Sequence, residues 1–309
     1  MLSVPDRTTC APGFLSCRCL SGRVQDSHPL PWPERLQQPG EGLGDMGIQD
    51  KLFRRWRICT TGLAFITFIA GSVFFTFAAV PMIQLLPGSV ENKRQKILQL
   101  IHWSFKLFLK YSIFLRVIDT FEVEGLEDIK HYNNYIFIAN HPTLIDVVAI
   151  MSCIPFCNCI IKKSLLKHIC FNSIVRAAGY IVNDRATQIF KDCEKNFQAG
   201  RSLIVFPEGT RSPAYGLRTF KRGAAQIALR TGIPIVLVVI TCDPPTLSKG
   251  QPWYKVPERP LRFKRHFHFL CTLPEEIRQK HNFRLKVRVL NQYFEDFFRE
   301  QLHVPTQVD

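Results

Sequence analysis

The chain has 309 residues and a formal net charge of +15, which is enough length for one large domain with appendages. The positive charge favours a phospholipid surface or a phosphorylated substrate over nucleic acid, because the basic residues flank apolar segments rather than line a polar face. Eleven cysteines without paired spacing argue against a disulfide framework and favour a reducing compartment. Three of them, Cys153, Cys157 and Cys159, lack a second ligand pair at zinc-like spacing, so thiols are favoured over a metal site.

Residues 1–45 differ in composition from the rest of the chain. They contain six prolines and five glycines and show no sustained helical or strand period. They also lack the charged segment and long apolar run of an ordinary signal peptide. We therefore expect a disordered or dispensable leader, with Met46 as the working start of the protein.

Residues 58–80 form a run of 23 amino acids without a charge. As a helix this run is about 34 Å long, enough to cross the hydrocarbon core of a bilayer. Its uniformly apolar composition favours a membrane helix over a buried core helix. Residues 97–117 are also apolar but include Lys106, Lys110 and Arg116, which favours a second helix lying in the membrane interface. Basic residues flank the first run on both sides, so its orientation is open, and residues 46–118 are predicted to form a membrane-associated helical hairpin.

The remaining residues, 119–309, alternate between strand-like and helix-like segments. This alternation predicts an α/β domain built around a buried sheet. The predicted strands are 121–124, 135–139, 158–161, 202–206, 233–241 and 262–269, the last as an edge strand. The predicted helices are 144–151, 164–178, 186–197, 221–230 and 285–298.

Two polar motifs begin where predicted strands end. Residues 140–146 read Asn-His-Pro-Thr-Leu-Ile-Asp, and residues 206–212 read Phe-Pro-Glu-Gly-Thr-Arg-Ser. Loops at the ends of buried strands are where α/β proteins place their chemistry. The first motif supplies a histidine with a carboxylate to orient it, and the second supplies an acid with a nearby arginine. Together they indicate a base that activates a hydroxyl and a site that holds an anion.

These two motifs resemble those of the glycerolipid (lysophospholipid) acyltransferase family, whose best-known members are the lysophosphatidic acid acyltransferases. Residues 179–185 resemble the family's second block and residues 232–236 its fourth, so four blocks occur in the expected order. The resemblance covers about residues 120–242. It implies an α/β fold with a mixed sheet flanked by helices, preceded by an N-terminal membrane-associated helical pair that docks the domain on the bilayer.

His141 and Asp146 are the candidate catalytic residues. Pro142 suits the first position of a helix, which would place His141 at the helix entry, where the dipole disfavours an imidazolium. Asp146 can reach back to the other ring nitrogen and fix the tautomer. By resemblance, this general base deprotonates a lysophospholipid hydroxyl that attacks an acyl thioester directly, without a covalent acyl-enzyme. Thr143 stands where family members usually carry serine, so the hydroxyl is kept.

The third block is the candidate binding site for the acceptor. Gly209 permits a tight turn that other residues resist, and Arg211 presents a planar fork suited to phosphate. By resemblance, residues Glu208, Gly209, Thr210 and Arg211 help bind the glycerol phosphate of the acceptor. Glu208 could orient Arg211 or hold a glycerol hydroxyl. A surface salt bridge is the alternative.

Three further cations are candidate substrate-binding residues. By resemblance, Arg185 lies near the phosphate, and Lys162 and Lys163 match a basic position between the first two blocks. The alternative for each lysine is a solvated surface position. Pro234, in the fourth block, either shapes acyl-chain or strand-end geometry or is simply a proline early in a strand.

The resemblance implies a membrane O-acyltransferase that makes phosphatidic acid from lysophosphatidic acid. Acyl-CoA or acyl-carrier protein would be the acyl donor, and no bound cofactor or metal is expected. The expected partners are a phospholipid membrane and a lysophospholipid, with no nucleic acid. A bacterial inner membrane or a eukaryotic endomembrane fits. Open alternatives are another lysolipid acceptor, a hydrolase that uses the same dyad, and a non-catalytic lipid-binding scaffold of the same fold.

Overall fold

The structure is a computed structural model that describes residues 48–129, 134–167, 169–184, 186–270 and 273–304. The leader predicted over residues 1–45, the proposed start at Met46 and the side chain of Arg185 lie outside these residues.

The described chain begins with two long antiparallel helical segments. Helix α1 (Ile48–Phe74) continues through a π-helical turn (Phe75–Ala79) into α2 (Val80–Leu85). Pro81 directly follows the π-helical turn, so the proline that cannot donate a helical N–H lies where the regular hydrogen-bond pattern is already interrupted. Ser89 then caps α3 (Val90–Phe114), which returns beside α1.

Aromatic rings hold the two helical segments together. Phe68 of α1 packs against Phe105 and Phe108 of α3, with ring centroids 6.4 and 5.4 Å apart. By length and composition, the segment Leu52–Leu85 could cross a membrane, with a mean hydropathy of 2.2. Large apolar side chains along this segment face outward, among them Ile66, Ile69 and Phe77. The helical pair predicted from the sequence is present, while its association with a membrane stays a prediction.

A seven-stranded mixed sheet forms the centre of the rest of the chain. Its order is β1-β7-β6-β2-β5-β3-β4. All neighbouring pairs are parallel except β6 with β7, which is antiparallel. The strands are β1 (Ile118–Glu124), β2 (Ile136–Ala139), β3 (Cys157–Lys162), β4 (Ile181–Asn183), β5 (Ser202–Val205), β6 (Ile235–Asp243) and β7 (Leu261–Leu270). The predicted α/β class with a mixed sheet flanked by helices is confirmed.

The position of β7 differs from the prediction, because β7 is an internal strand between β1 and β6. The edge prediction relied on the alternation of basic or histidine residues with phenylalanine. In the structure the phenylalanines and Arg265 point to one buried face, and Arg265 is fully buried. An internal strand that buries one charged residue therefore has the same alternating sequence pattern as an edge strand.

Helices cover both faces of the sheet. Alternate residues of β2 point to opposite faces, so Phe137 contributes to one core and Ile136 to the other. On the first face lie α3, α4 (Asp146–Met151) and α5 (Ile169–Ala178). On the second lie α6 (Ala186–Gln198), α7 (Gly223–Thr231), α8 (Glu275–Arg278) and α9 (Phe283–Gln301). Short 3₁₀ turns occupy Glu127–Ile129 and Lys163–Lys167.

Candidate active site

The candidate site residues gather at one end of the sheet. Strands β2, β5, β3 and β4 are neighbours and run parallel, so their carboxyl ends meet at the same edge. His141 follows β2, Glu208 and Arg211 follow β5, and Lys162 ends β3. Three of the four motifs therefore converge because of the strand order, although they are separated along the chain.

His141 and Asp146 are in direct contact. The Nδ1 atom of His141 lies 2.7 Å from Oδ2 of Asp146, whose carboxylate is fully buried. An ionised carboxylate only accepts hydrogen bonds, so Nδ1 carries the proton, and a neutral ring leaves Nε2 as an acceptor. Among the described residues, no group hydrogen-bonds Nε2, and the side chain is 17% exposed. The arrangement suits a base that receives a proton from a bound molecule.

The local backbone around this pair differs from the prediction. Helix α4 begins at Asp146 rather than at Pro142, so His141 lies in a loop and not at a helix entry. The helix dipole therefore acts on Asp146, the first residue of α4, where a negative charge is stabilised. Pro142 misled the prediction because proline suits an extended loop as well as a first helical turn.

Thr143 holds Asp146 in place. Its hydroxyl donates to Oδ1 at 2.6 Å, and its backbone N–H donates to Oδ2 at 2.8 Å. With His141, the carboxylate thus accepts three hydrogen bonds, which compensate for its complete burial. A serine would offer the same two donors, so the difference from the family pattern preserves this contact.

Glu208 joins the second motif to the first. Its Oε1 accepts from the backbone N–H of His141 at 2.9 Å and from the Ser212 hydroxyl at 2.7 Å, and its Oε2 accepts from the Arg218 N–H. Burial raises the pKa of this carboxyl, and the hydrogen bonds from Ser212, His141 and Arg218 oppose that rise. The hydrogen bonds that Glu208 accepts come from His141, Ser212 and Arg218, while Arg211 donates to backbone carbonyls elsewhere. Glu208 therefore orders both loops rather than orienting the arginine.

Arg211 is anchored to a distant segment. Its Nη1 donates to the carbonyl oxygen of Leu247 at 2.6 Å and lies 3.3 Å from that of Ser248. These contacts fix the guanidinium beside the loop that follows β6. The remaining nitrogens of the planar fork are the ones available for an anion.

The turn between Glu208 and Arg211 has a left-handed backbone that glycine adopts without strain. Gly209 has a φ of +69°, and a Cβ there would lie 2.9 Å from Nζ of Lys221. The side chain of Lys221 thus passes over the turn at Gly209 and adds a cation there. Thr210 is half-buried in the same turn.

The two lysines lie at the same sheet edge but on its outer part. Lys162 is exposed at the end of β3 and pairs in register with Asn183 of β4. Lys163 forms an exposed ion pair with Asp184, at 2.9 Å between Nζ and Oδ2. Asp184 belongs to the second block, so both lysines border the region where the sequence places Arg185.

The fourth block lies at the opposite end of the sheet. Pro234 precedes β6, and its carbonyl accepts from the N–H of Ile136 at the start of β2, at 2.9 Å. The proline therefore lies directly before β6, at the end of the sheet where β2 also begins. This block supports the sheet and does not contact the dyad.

Two supporting residues were missed by the sequence analysis. The Asn140 side chain exchanges two hydrogen bonds with the backbone of Ile240, at 2.7 and 2.8 Å, and so ties the first motif to β6. The ring of Phe206 stacks on His141 with centroids 4.3 Å apart. Both residues are the first of their motifs, but only the pairing of β2 with β6 and β5 reveals their roles.

Arg265 was also missed. Its Nη1 donates to the Ala149 carbonyl of α4 at 2.6 Å and lies 3.2 Å from the Cys153 sulfur, while its guanidinium stacks 3.5 Å from the Phe121 ring centroid. Burial lowers its pKa, and the charge of Asp146 opposes that change. A cation thus lies at one end of α4 and the dyad carboxylate at the other, which matches the dipole of the helix.

An apolar cavity lies between the helical pair and the sheet domain. It has a volume of about 510 Å³ and is lined by α1, α3 and α5 together with Tyr180. Its walls are mostly aromatic and aliphatic and include Phe68, Phe105 and Ile174. Gly71 also lines the cavity, and a Cβ there would meet no atom within 4 Å. Such a cavity suits an aliphatic chain.

Comparison with known sequences supports the resemblance. A family model described as Acyltransferase matches residues 120–241. The chain is 28% identical over 176 residues to the 1-acyl-sn-glycerol-3-phosphate acyltransferase alpha of Homo sapiens, which covers 55% of this chain and 59% of that protein. It is 35% identical over 121 residues to the 1-acyl-sn-glycerol-3-phosphate acyltransferase of Escherichia coli (strain K12), with 37% and 49% covered. The chain thus spans less than two thirds of these curated relatives.

Comparison with solved structures supports the fold. The crystal structure of the 1-acyl-sn-glycerophosphate (LPA) acyltransferase PlsC from Thermotoga maritima matches with a TM-score of 0.59 at 25% identity. The match covers 82% of this chain and 96% of that one, so it extends well beyond the four sequence blocks.

Proposed function

We propose that this chain, which matches the Acyltransferase family model over residues 120–241, transfers a fatty acyl group from an acyl thioester to the free hydroxyl of a lysophospholipid. The proposed acceptor is lysophosphatidic acid, which would give phosphatidic acid, and the proposed donor is acyl-CoA or acyl-carrier protein. The observation that carries this proposal is the 2.7 Å contact between His141 and a buried Asp146, with Nε2 left for an incoming hydroxyl.

In the proposed reaction, Nε2 of His141 takes the proton of the acceptor hydroxyl as its oxygen attacks the thioester carbonyl. The carbon–sulfur bond then breaks, and the thiolate leaves with the proton that the imidazolium returns. Asp146 keeps the ring in the required tautomer and stabilises the positive ring during transfer. General-base catalysis of this kind contributes about 10²–10⁴-fold in rate.

The cations at the sheet edge are the proposed acceptor site. Arg211 and Lys221 border the turn next to Glu208, and Lys162 and Lys163 end the neighbouring strand. We assign the phosphate to this edge, with Arg185, Gly209 and Thr210 as further proposed contacts. Opposite charge favours a phosphorylated acceptor over a neutral one.

The apolar cavity is the proposed site for an acyl chain. A leucine at Gly71 would project into the open space there, because a Cβ on Gly71 meets no atom within 4 Å. We expect Gly71→Leu to shift the chain-length preference toward shorter donors while leaving the preference among acceptor head groups unchanged. An unaltered preference across a series of acyl-CoA chain lengths would place the chain elsewhere.

The function is tested by acyl transfer with the detergent-solubilised protein and its His141→Ala variant. Labelled acyl-CoA and acyl-carrier protein serve as donors against lysophosphatidic acid and a panel of other lysolipids. We expect diacyl product from the wild type alone, and most from lysophosphatidic acid. Release of free fatty acid would indicate a hydrolase, and no turnover of any pair would favour a lipid-binding scaffold.

A further inference from the structure

The segment between β6 and β7, residues 244–260, presents two aromatic side chains to solvent. Trp253 is 45% exposed and Tyr254 is 58% exposed, with ring centroids 5.9 Å apart. Lys249 and Lys255 flank them and are exposed. Tryptophan and tyrosine flanked by lysine are typical of the layer between lipid acyl chains and headgroups.

Trp253 lies against the apolar part of α1. Its ring would be 3.3 Å from a Cβ on Gly62, and its centroid is 6.0 Å from that of Phe65. Arg57 is the last charged residue before the uncharged run. At the rise of a helix, Gly62 lies about 7.5 Å and Phe65 about 12 Å beyond Arg57. A bilayer that takes up the uncharged run of α1 therefore reaches Trp253 as well.

The outer surface of α1 at this level is apolar on both sides of the contact. Leu63 is 45% exposed and Ile66 is 64% exposed. The exposed rings of segment 244–260 therefore continue an apolar surface rather than form an isolated patch. That continuity, together with the flanking lysines, selects an anionic lipid surface as the occupant.

The same segment also accepts hydrogen bonds from Arg211, the proposed acceptor-binding residue. The carbonyl oxygens of Leu247 and Ser248 accept from Arg211, while Trp253, a few residues later, touches α1. One short segment thus connects the third motif to the helix that meets the membrane.

We propose that segment 244–260 is a membrane-contacting loop whose Trp253 and Tyr254 enter the interfacial layer of an anionic bilayer and fix Arg211 at the lipid surface. This inference rests on the proposed function in taking a bilayer as the source of the acceptor. Its first test needs no turnover, so the two can fail separately.

The first test measures the depth of Trp253. Trp32→Phe, Trp56→Phe and Trp103→Phe leave Trp253 as the sole tryptophan, and this protein is reconstituted into vesicles of phosphatidylcholine and phosphatidylglycerol. We expect blue-shifted emission that is quenched by lipids brominated near the headgroup end of the chain and protected from aqueous iodide. Strong quenching by iodide with none by the brominated lipids would overturn the proposal.

A matched control places the probe at the other end of the sheet. Phe283 is 40% exposed and lies 5.6 Å from the Arg230 guanidinium, near the start of β6, while segment 244–260 follows its end. The nine residues of β6 separate the two positions by about 30 Å. With Trp253→Phe and Phe283→Trp, we expect quenching by iodide and not by brominated lipid. Equal lipid quenching at both positions would show that the lipid contact is not specific to segment 244–260 and would overturn the proposal.

The second test links the loop to the acceptor site. The double variant Trp253→Ala, Tyr254→Ala is compared with Phe283→Ala, using a long-chain lysophosphatidate in vesicles and a short-chain one that stays in solution. We expect a severalfold higher KM for the vesicle acceptor in the double variant only, with the soluble acceptor unaffected. An equal loss on both acceptors would show a purely structural role and count against a membrane contact.

Discussion

The two motif loops differ in how they are held. In the loop 140–146, His141, Thr143 and Asp146 bond to one another within six residues. In the loop 206–212, Glu208 bonds to the first loop and Arg211 bonds to a segment more than thirty residues away. The contact between His141 and Asp146 is thus made within one loop, while Glu208 and Arg211 are held by groups distant in the chain. The proposed base can be recognised from a motif, whereas the position of the proposed anion-binding group is a property of the whole fold.

The largest effect is expected from a substitution that disrupts the hydrogen bonds within the loop 140–146. In Asp146→Asn, an amide can present N–H to the donors of Thr143 or to His141, so the ring loses its tautomer control. We expect acyl transfer to fall by about 10²–10⁴-fold, measured as kcat with lysophosphatidic acid. Asp119→Asn is the matched control, because Asp119 is an exposed carboxylate on β1 near Arg262. Activity of Asp146→Asn close to that of the control would contradict the dyad.

Glu208→Gln tests the contact between the loops. Three donors converge on the carboxylate, and glutamine would turn an N–H group toward one of them. We expect a loss of about 1–3 kcal/mol in the free energy of unfolding, together with reduced activity, measured by thermal unfolding and by turnover. The exposed Glu194→Gln should change neither. Stability equal to the wild type would mean that the loops hold together without this carboxylate.

Arg211→Ala tests whether the loop 206–212, which is held by distant contacts, binds the acceptor phosphate. We expect a severalfold rise in KM for a phosphorylated acceptor and a smaller change for the acyl donor, because the guanidinium would contact only the acceptor phosphate. Arg288→Ala, an exposed position on α9, is the control for lost charge. Equal effects on both substrates would separate this loop from phosphate binding.

The smallest effect is expected outside both loops, at His268 on β7. Burial and the neighbouring His266 lower the pKa of His268 to about 4, and the negative charge of Glu124 opposes that change. The folded protein therefore binds fewer protons there than the unfolded chain, and stability at this site is present above about pH 6.5 and lost as the pH falls toward 4. In His268→Phe we expect the melting temperature to depend less on pH across that window. His281→Phe, which is exposed, should leave the dependence intact, and an unchanged slope in His268→Phe would refute the assignment.

Local patterns in the sequence were sufficient for much of the fold. Apolar runs located β2, β5 and β6 within one or two residues, because a strand buried on both faces must be continuously apolar. The same logic failed for β7, where Arg265 inside the core looked like the polar side of an edge strand. The start of α4 was also misplaced, since Pro142 is compatible with both a loop and a helix.

By itself the sequence determined which groups could do chemistry. It identified His141 and Asp146, because a dyad spaced over six residues needs only one loop to bring it together. The tertiary structure alone decided that Glu208 bonds to His141 rather than to Arg211, that Arg265 bonds to the Ala149 carbonyl of α4, and that segment 244–260 joins Arg211 to α1. These contacts depend on strand order and on loops that meet only after the sheet has formed, and no local spacing encodes that order.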